Sequence, residues 1–218
     1  MISCSAWRLY VIVDPAASEG RDLAEVAAAA IRGGADAIQL RDKAASARRL
    51  LAHAERLLPL ARMAGIPLVI NDRADIARAI GADGVHLGQD DLPIKDARGI
   101  LGPARLIGKS THSLEQALAA QAEGVDYIGF GPIFPTPTKP DYPSLGTSLI
   151  RQVTTRIQLP VICIGGIDGA ALEQAIDAGA RCVAVVRAVC SAPDPESSAR
   201  NLKQILTQFV PTTSAPHL

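Results

Sequence analysis

One α/β chain closed into a single (β/α)8 TIM barrel is what the sequence predicts, and three observations carry the prediction. Eight short runs rich in Val and Ile recur along the chain. Amphipathic segments of helical period separate them, which is the pattern of βαβ units and a parallel sheet. A Gly-Ala-Asp-like signature returns four times where a helical segment gives way to an apolar run. The 218 residues are fewer than the about 250 typical of this barrel. They are still enough to bury roughly 70% of the unfolded surface.

The predicted strands are Leu9–Val13, Ala37–Leu40, Pro67–Ile70, Gly84–Leu87, Leu106–Gly108, Tyr127–Phe130, Pro160–Ile164 and Cys182–Val186. A helix over Ser46–Ala64 follows from Leu50, Ala54, Leu57, Leu58 and Ala61 on one face. Another opens at Ser113, where Ser113 and Gln116 have the spacing of a capping box. The last helix carries Leu202, Ile205, Leu206 and Phe209. The repeat appears at Gly34-Ala35-Asp36, Gly81-Ala82-Asp83, Gly124-Val125-Asp126 and Gly179-Ala180-Arg181, before the second, fourth, sixth and eighth strands. Its glycine suits the left-handed end of a helix. Eight such units fit a closed barrel better than an open sheet. One domain is expected over residues 1–210, and 211–218, aperiodic and containing Pro, Thr and Ser, is expected to be a disordered tail.

Composition excludes several classes of function. Lys plus Arg and Asp plus Glu balance at 22 each, so no basic face for nucleic acid is expected. No apolar run reaches membrane-span length. Met1–Arg8 lacks the basic leader and apolar stretch of a signal peptide, so a cytoplasmic location is expected. The four cysteines form no CxxC pair; Cys163 and Cys182 lie in apolar runs and read as small buried hydrophobes.

The chemistry should gather at the C-terminal ends of the strands. After the second strand, Gln39, Arg41 and Lys43 share one parity of an extended chain. A guanidinium beside an ammonium suits an anion, although a solvated strand end has the same composition. The third and fourth strands end in Asn71-Asp72-Arg73 and His86-Leu87-Gly88-Gln89-Asp90-Asp91. Asp72 and Asp91 read either as helix caps or as two carboxylates for a hard cation such as Mg2+. His86 reads as a hydrogen-bonded structural histidine. Gly108-Lys109-Ser110-Thr111-His112 ends the fifth strand. The sixth opens into Gly131-Pro132-Ile133-Phe134-Pro135-Thr136-Pro137-Thr138-Lys139, stiffened by its prolines. Two hydroxyls and a Lys there suit a diphosphate. Gly165-Gly166-Ile167-Asp168 and Val185-Val186-Arg187 end the last two strands, the usual phosphate site of the fold.

Taken together and in order, these segments resemble the thiamine-phosphate synthase (thiamine-phosphate pyrophosphorylase) family from about Leu9 to Leu206. The resemblance implies an alkyl-transferring enzyme that joins hydroxymethylpyrimidine diphosphate to hydroxyethylthiazole phosphate, releasing diphosphate with help from Mg2+. By it, Gln39, Leu40, Arg41, Asp42, Lys43, Asn71, Ser110 and Lys139 would hold the pyrimidine diphosphate. Asp72 and Asp91 would bind Mg2+. Thr136, Pro137, Thr138, Gly166, Val186 and Arg187 would surround the thiazole phosphate. Arg41, Lys43, Ser110 and Lys139 would act in catalysis. The run Val186-Arg187-Ala188-Val189 departs from the family's usual Ser at the second place. No Ser-His-Asp or Cys-His set is evident, in keeping with a loose displacement that needs no nucleophilic side chain. Two other readings stay open: a thiazole tautomerase-like isomerase, and a non-catalytic thiamine-phosphate binder. The expected partners are these small substrates, with no nucleic acid and no membrane.

Overall fold

The computed structural model describes residues 3–138 and 143–209. Lys139 and the tail at 211–218 lie outside the described residues. Eight parallel strands close a barrel in sequence order: β1 Leu9–Val13, β2 Ala37–Leu40, β3 Leu68–Asn71, β4 Gly84–Leu87, β5 Leu106–Thr111, β6 Tyr127–Phe130, β7 Val161–Ile164 and β8 Cys182–Val185. Closure comes from β1 pairing with β8, with Val11 beside Val185. Around it run α1 Leu23–Arg32, α2 Ala47–Ala64, α3 Ala74–Ile80, α4 Ile94–Leu101, α5 Leu114–Ala122, α6 Ser148–Arg156, α7 Gly169–Asp177, the short α8 Arg187–Cys190 and α9 Pro195–Phe209. This is the expected (β/α)8 barrel.

The repeat explains the stitching at the barrel base. Gly34, Gly81, Gly124 and Gly179 all have positive φ, from 69 to 110°, a conformation costly for residues with a Cβ. Each following aspartate clasps the start of the preceding strand from both sides. Asp36 N donates to Leu9 O at 2.8 Å while its carboxylate accepts from Leu9 N at 2.9 Å. Asp83 does the same to Leu68 (2.9 and 2.9 Å) and Asp126 to Ile107 (2.8 and 2.7 Å). Arg181 in the fourth copy cannot accept, so the clasp by carboxylate covers three of the four copies.

Caps place the helices as expected, with one change. Ser46 Oγ accepts from Arg49 N at the start of α2, and Ser113 Oγ accepts from Gln116 N at the start of α5. The Gln116 side-chain Oε1 reaches past Ser113, however, and accepts from His112 N at 2.7 Å. The box therefore closes one residue early and ties the helix to the end of β5. In α9, Leu202 and Leu206 are buried, whereas Phe209 is exposed; the helix outlasts the surface it packs on.

The chain is poor in aromatic residues, and three of them fill the lower lumen. Trp7, Tyr10 and Tyr127 have ring centroids 5.6 to 6.0 Å apart. Gly108 on β5 makes room for them: a Cβ there would lie 2.1 Å from the Tyr127 ring. The lumen is thus a packed floor, and the space above it, at the C-terminal mouth, is left for a ligand.

Candidate active site at the barrel mouth

A cavity of about 310 Å³ opens at that mouth, lined by residues from the ends of all eight strands or the loops that follow them. From β2, Gln39, Arg41 and Lys43 face it, as their shared parity predicts. Leu40 and Asp42 do not line it. Leu40 is fully buried on the helix side, and Asp42 turns back toward Arg49 and His53 of α2, both at 3.8 Å. Side-chain contact from these two is therefore corrected to the outward face of the strand, the expected result of period-2 alternation.

Arg41 is held in place by Asp14 at the end of β1, which its NH1 contacts directly. Asp14 is itself buried and accepts from Ala16 N at 2.9 Å. Sequence reading passed over Asp14; a carboxylate directly after the first apolar strand was the available signal.

The carboxylates of β3 and β4 are not helix caps. Arg73 occupies the cap position of α3 and Pro93 that of α4, neither with a side-chain cap bond. Arg73 N instead donates to Asn71 O at 2.8 Å, closing a three-residue turn around Asp72. Asp72 sits at φ 62°, a left-handed value that few residues adopt without cost. Asp91 Oδ2 accepts from Gly88 N at 2.6 Å, which folds the β4 loop back on itself. The two carboxyls meet there. Burial, then the Asp91 carboxyl beside it, pushes the Asp72 carboxyl up to about 6, with Lys43 at 3.4 Å opposing the shift. Two facing carboxylates on a strained turn form a site that calls for a proton or a cation. Among the described residues no group of three or more His, Cys, Asp or Glu converges as a metal cage. A two-carboxylate site suits a hard cation that keeps water and phosphate ligands.

Ser110 on β5 faces the cavity and belongs to a buried chain of hydrogen bonds across the lumen. Gln39 Nε2 donates to Tyr10 OH at 2.9 Å. Tyr10 OH lies 3.1 Å from Tyr127 OH, which lies 3.1 Å from His86 Nδ1. His86 Nε2 lies 2.9 Å from Ser110 Oγ. His86 is thus a hydrogen-bonded histidine, and it also lines the cavity. Tyr10 and Tyr127 were not singled out in the sequence, because alternating strand residues look the same whether they face a lumen or a core.

The far side of the mouth is built from the β6, β7 and β8 loops. Thr136, Pro137 and Thr138 line it, with Thr138 N donating to Thr136 Oγ at 3.3 Å. The loop is anchored to β7: Ile133 N donates to Ile164 O at 2.8 Å and Phe134 N to Gly165 O at 3.0 Å. Gly166, at φ 63°, has no room for a Cβ, which would lie 2.6 Å from Pro135 O. Val186 and Arg187 complete the rim. Arg187 is exposed and begins the short helix α8 rather than sitting in a loop. Asn71 lines the mouth beside Asp72. His112 Nδ1 contacts Gly131 O and so joins the ends of β5 and β6.

The closed barrel and the charged cavity at its C-terminal mouth define the class: a (β/α)8-barrel enzyme. Within that class the chain belongs to the thiamine monophosphate synthase family, whose model matches residues 9–189. The chain is 51% identical over 208 residues to a thiamine-phosphate synthase of Mycobacterium sp. (strain KMS), covering 91% of this chain and 92% of that one. It is 48% identical over 201 residues to a thiamine-phosphate synthase of Roseiflexus castenholzii, covering 92% and 88%. Among solved structures, a thiamine phosphate pyrophosphorylase from Pyrococcus furiosus superposes with a TM-score of 0.87 at 35% identity, covering 94% of this chain and 97% of that one.

Proposed function

We propose that this chain is a transferase that couples hydroxymethylpyrimidine diphosphate to hydroxyethylthiazole phosphate, giving thiamine phosphate and diphosphate. One observation carries the reading: an anion clamp, Arg41 and Lys43, stands beside a facing carboxylate pair, Asp72 and Asp91, in one cavity. A diphosphate with a divalent cation satisfies both halves at once. Family membership points the same way.

In this reading Gln39, Arg41, Lys43, Asn71 and Ser110 hold the pyrimidine diphosphate. The Thr136–Thr138 loop, Gly166, Val186 and Arg187 receive the thiazole phosphate. Asp72 and Asp91 would hold Mg2+, which, when bound, offsets negative charge on the departing diphosphate. Arg41, pre-positioned by Asp14, and Lys43 place fixed positive charge where the leaving group gathers its negative charge. The thiazole nitrogen forms a bond to the pyrimidine methylene carbon as the carbon–oxygen bond to diphosphate breaks. The cavity's main work is to align these two atoms, which in favourable cases supplies about 7–11 kcal/mol.

The test is a turnover assay with both substrates, with and without Mg2+, following thiamine phosphate and diphosphate together. Equimolar formation of the two supports the reading. Isomerisation of a thiazole without diphosphate release, or binding without turnover, would overturn it.

A further inference from the structure

We propose that Tyr10, Tyr127 and His86 are positioning residues. They form one directed hydrogen-bond chain, anchored at Gln39, that holds Ser110 as a donor toward the substrate. The proposal rests on the reading above that Ser110 meets the substrate.

The direction follows from donor bookkeeping. The amide nitrogen of Gln39 can only donate, so the Tyr10 oxygen accepts from it. Tyr10 then has a single proton to give, and its hydroxyl neighbour is Tyr127. Tyr127, having accepted, donates its own proton to His86 Nδ1. That nitrogen must be bare, so the neutral imidazole carries its proton on Nε2 and donates to Ser110 Oγ. Ser110 has then accepted from the protein, and its own hydroxyl proton is left for the cavity. Its ligand atom must be an acceptor, such as a phosphate oxygen or a ring nitrogen.

The links reverse together or not at all. Tyr10 and Tyr127 are 2% and 0% exposed, so a donor set against a donor there has no water to turn to. The chain is not a proton conduit, because the Gln39 amide at its head neither releases nor takes up a proton at ordinary pH. Both ends open on the same cavity, so the orientation of Gln39 on one wall fixes that of Ser110 on the other.

The experiment has two arms on the full chain. Nitrogen-15 NMR of the histidine imidazoles should find His86 with a protonated Nε2 and a bare Nδ1. The opposite tautomer would reverse the chain and overturn the proposal. In steady-state kinetics, His86→Leu should lower kcat by about 10- to 100-fold, the loss expected for one oriented hydrogen bond to a reacting group. His86→Gln, which can return an N–H toward Ser110, should recover most of that loss. Tyr127→Phe should reproduce much of it. In a Ser110→Ala background, both His86 substitutions should change kcat by less than about twofold, because residues acting through one partner are not additive. An undiminished His86→Leu effect in that background would show that His86 acts independently of Ser110. The tautomer needs no turnover to be read. A wild-type chain that makes no thiamine phosphate would therefore sink the proposed function alone, and the tautomer would still decide the relay.

Discussion

Lys43 Nζ lies 3.4 Å from Asp72 Oδ2. This pair joins the two halves of the mouth, since Lys43 belongs to the anion clamp and Asp72 to the carboxylate pair. The ammonium partly offsets the facing carboxylates, and an arriving diphosphate and cation would each take one member of the pair as a partner.

The first prediction concerns the cation. Asp91→Asn keeps an oxygen to accept from Gly88 N but removes a charge. It should lower kcat/KM by about 100-fold or more, roughly 3 kcal/mol, with little change in Tm. Excess Mg2+ should rescue it only in part. Full wild-type turnover in EDTA would remove the metal role.

A second prediction concerns pH and stability. The Asp72 carboxyl is raised to about 6 by burial and by Asp91, above its unfolded value near 4. Between these values the folded state binds more protons than the unfolded one, so stability falls as pH rises from about 4 to 6. The cost is fully present above about pH 6 and absent below about pH 4. In metal-free protein Asp72→Asn should therefore raise Tm at pH 8 and leave it nearly unchanged at pH 4. The gain should be on the order of 1 kcal/mol, discounted for the group's partial exposure. Asn also tolerates the left-handed φ of this position. Thermal melts at both pH values check it, and equal shifts would contradict the facing-carboxylate account.

Gly166 gives a third. A Cβ there would press on the backbone of Phe134 and Pro135 and would also carry a left-handed penalty of about 1–2 kcal/mol. Gly166→Ala should displace the Thr136–Thr138 loop. The KM for thiazole phosphate should rise about 10-fold or more, the equivalent of that penalty, while the KM for the pyrimidine diphosphate changes little. Equal effects on both would place Gly166 in the general scaffold rather than the thiazole side.

Arg187 gives a fourth. It is exposed on the rim at the start of α8, so its contact with a phosphate would be screened and modest. Arg187→Ser should raise the KM for thiazole phosphate by about 1.5- to 5-fold, the range of an exposed charged contact. The unphosphorylated alcohol should show no change. Identical kinetics of mutant and wild type on the phosphate would place Arg187 outside the site.

The fifth concerns the thiols. Burial pushes Cys4 and Cys163 up to about 12 and Cys190 to about 11, and raises Cys182 as well. At pH 8 almost no thiolate exists, and the thiolate is the reactive form. Aromatic disulfide reagents should therefore label the folded chain far more slowly than the chain in denaturant. Rapid stoichiometric labelling under native conditions would contradict the burial.

The barrel was legible in the sequence because its signals are local. Val- and Ile-rich runs mark strands wherever they pair, and the glycine of the Gly-Ala-Asp repeat ends its own helix by a local left-handed turn; only the clasp of its aspartate on the preceding strand needed the fold, since it reaches back 15 to 27 residues. Strand parity also put Gln39, Arg41 and Lys43 on one face, which the cavity lining bears out, whereas the resemblance had grouped Leu40 and Asp42 with them. Other features were invisible for a physical reason. β5 runs on to Thr111 rather than stopping at Gly108, because Lys109, Ser110 and Thr111 pair with Ile128, Gly129 and Phe130; the ladder uses main-chain groups and is indifferent to polar side chains. α8 is only four residues long, too short to show a period. The partnerships Asp14 with Arg41, Asp72 with Asp91, and Gln39 through Tyr10, Tyr127 and His86 to Ser110 join residues far apart in the chain. Sequence determined which residues stand at the strand ends. Closure of the barrel decided which of them touch, because hydrogen bonds and charge pairs depend on separations of a few ångströms that only the closed lumen imposes.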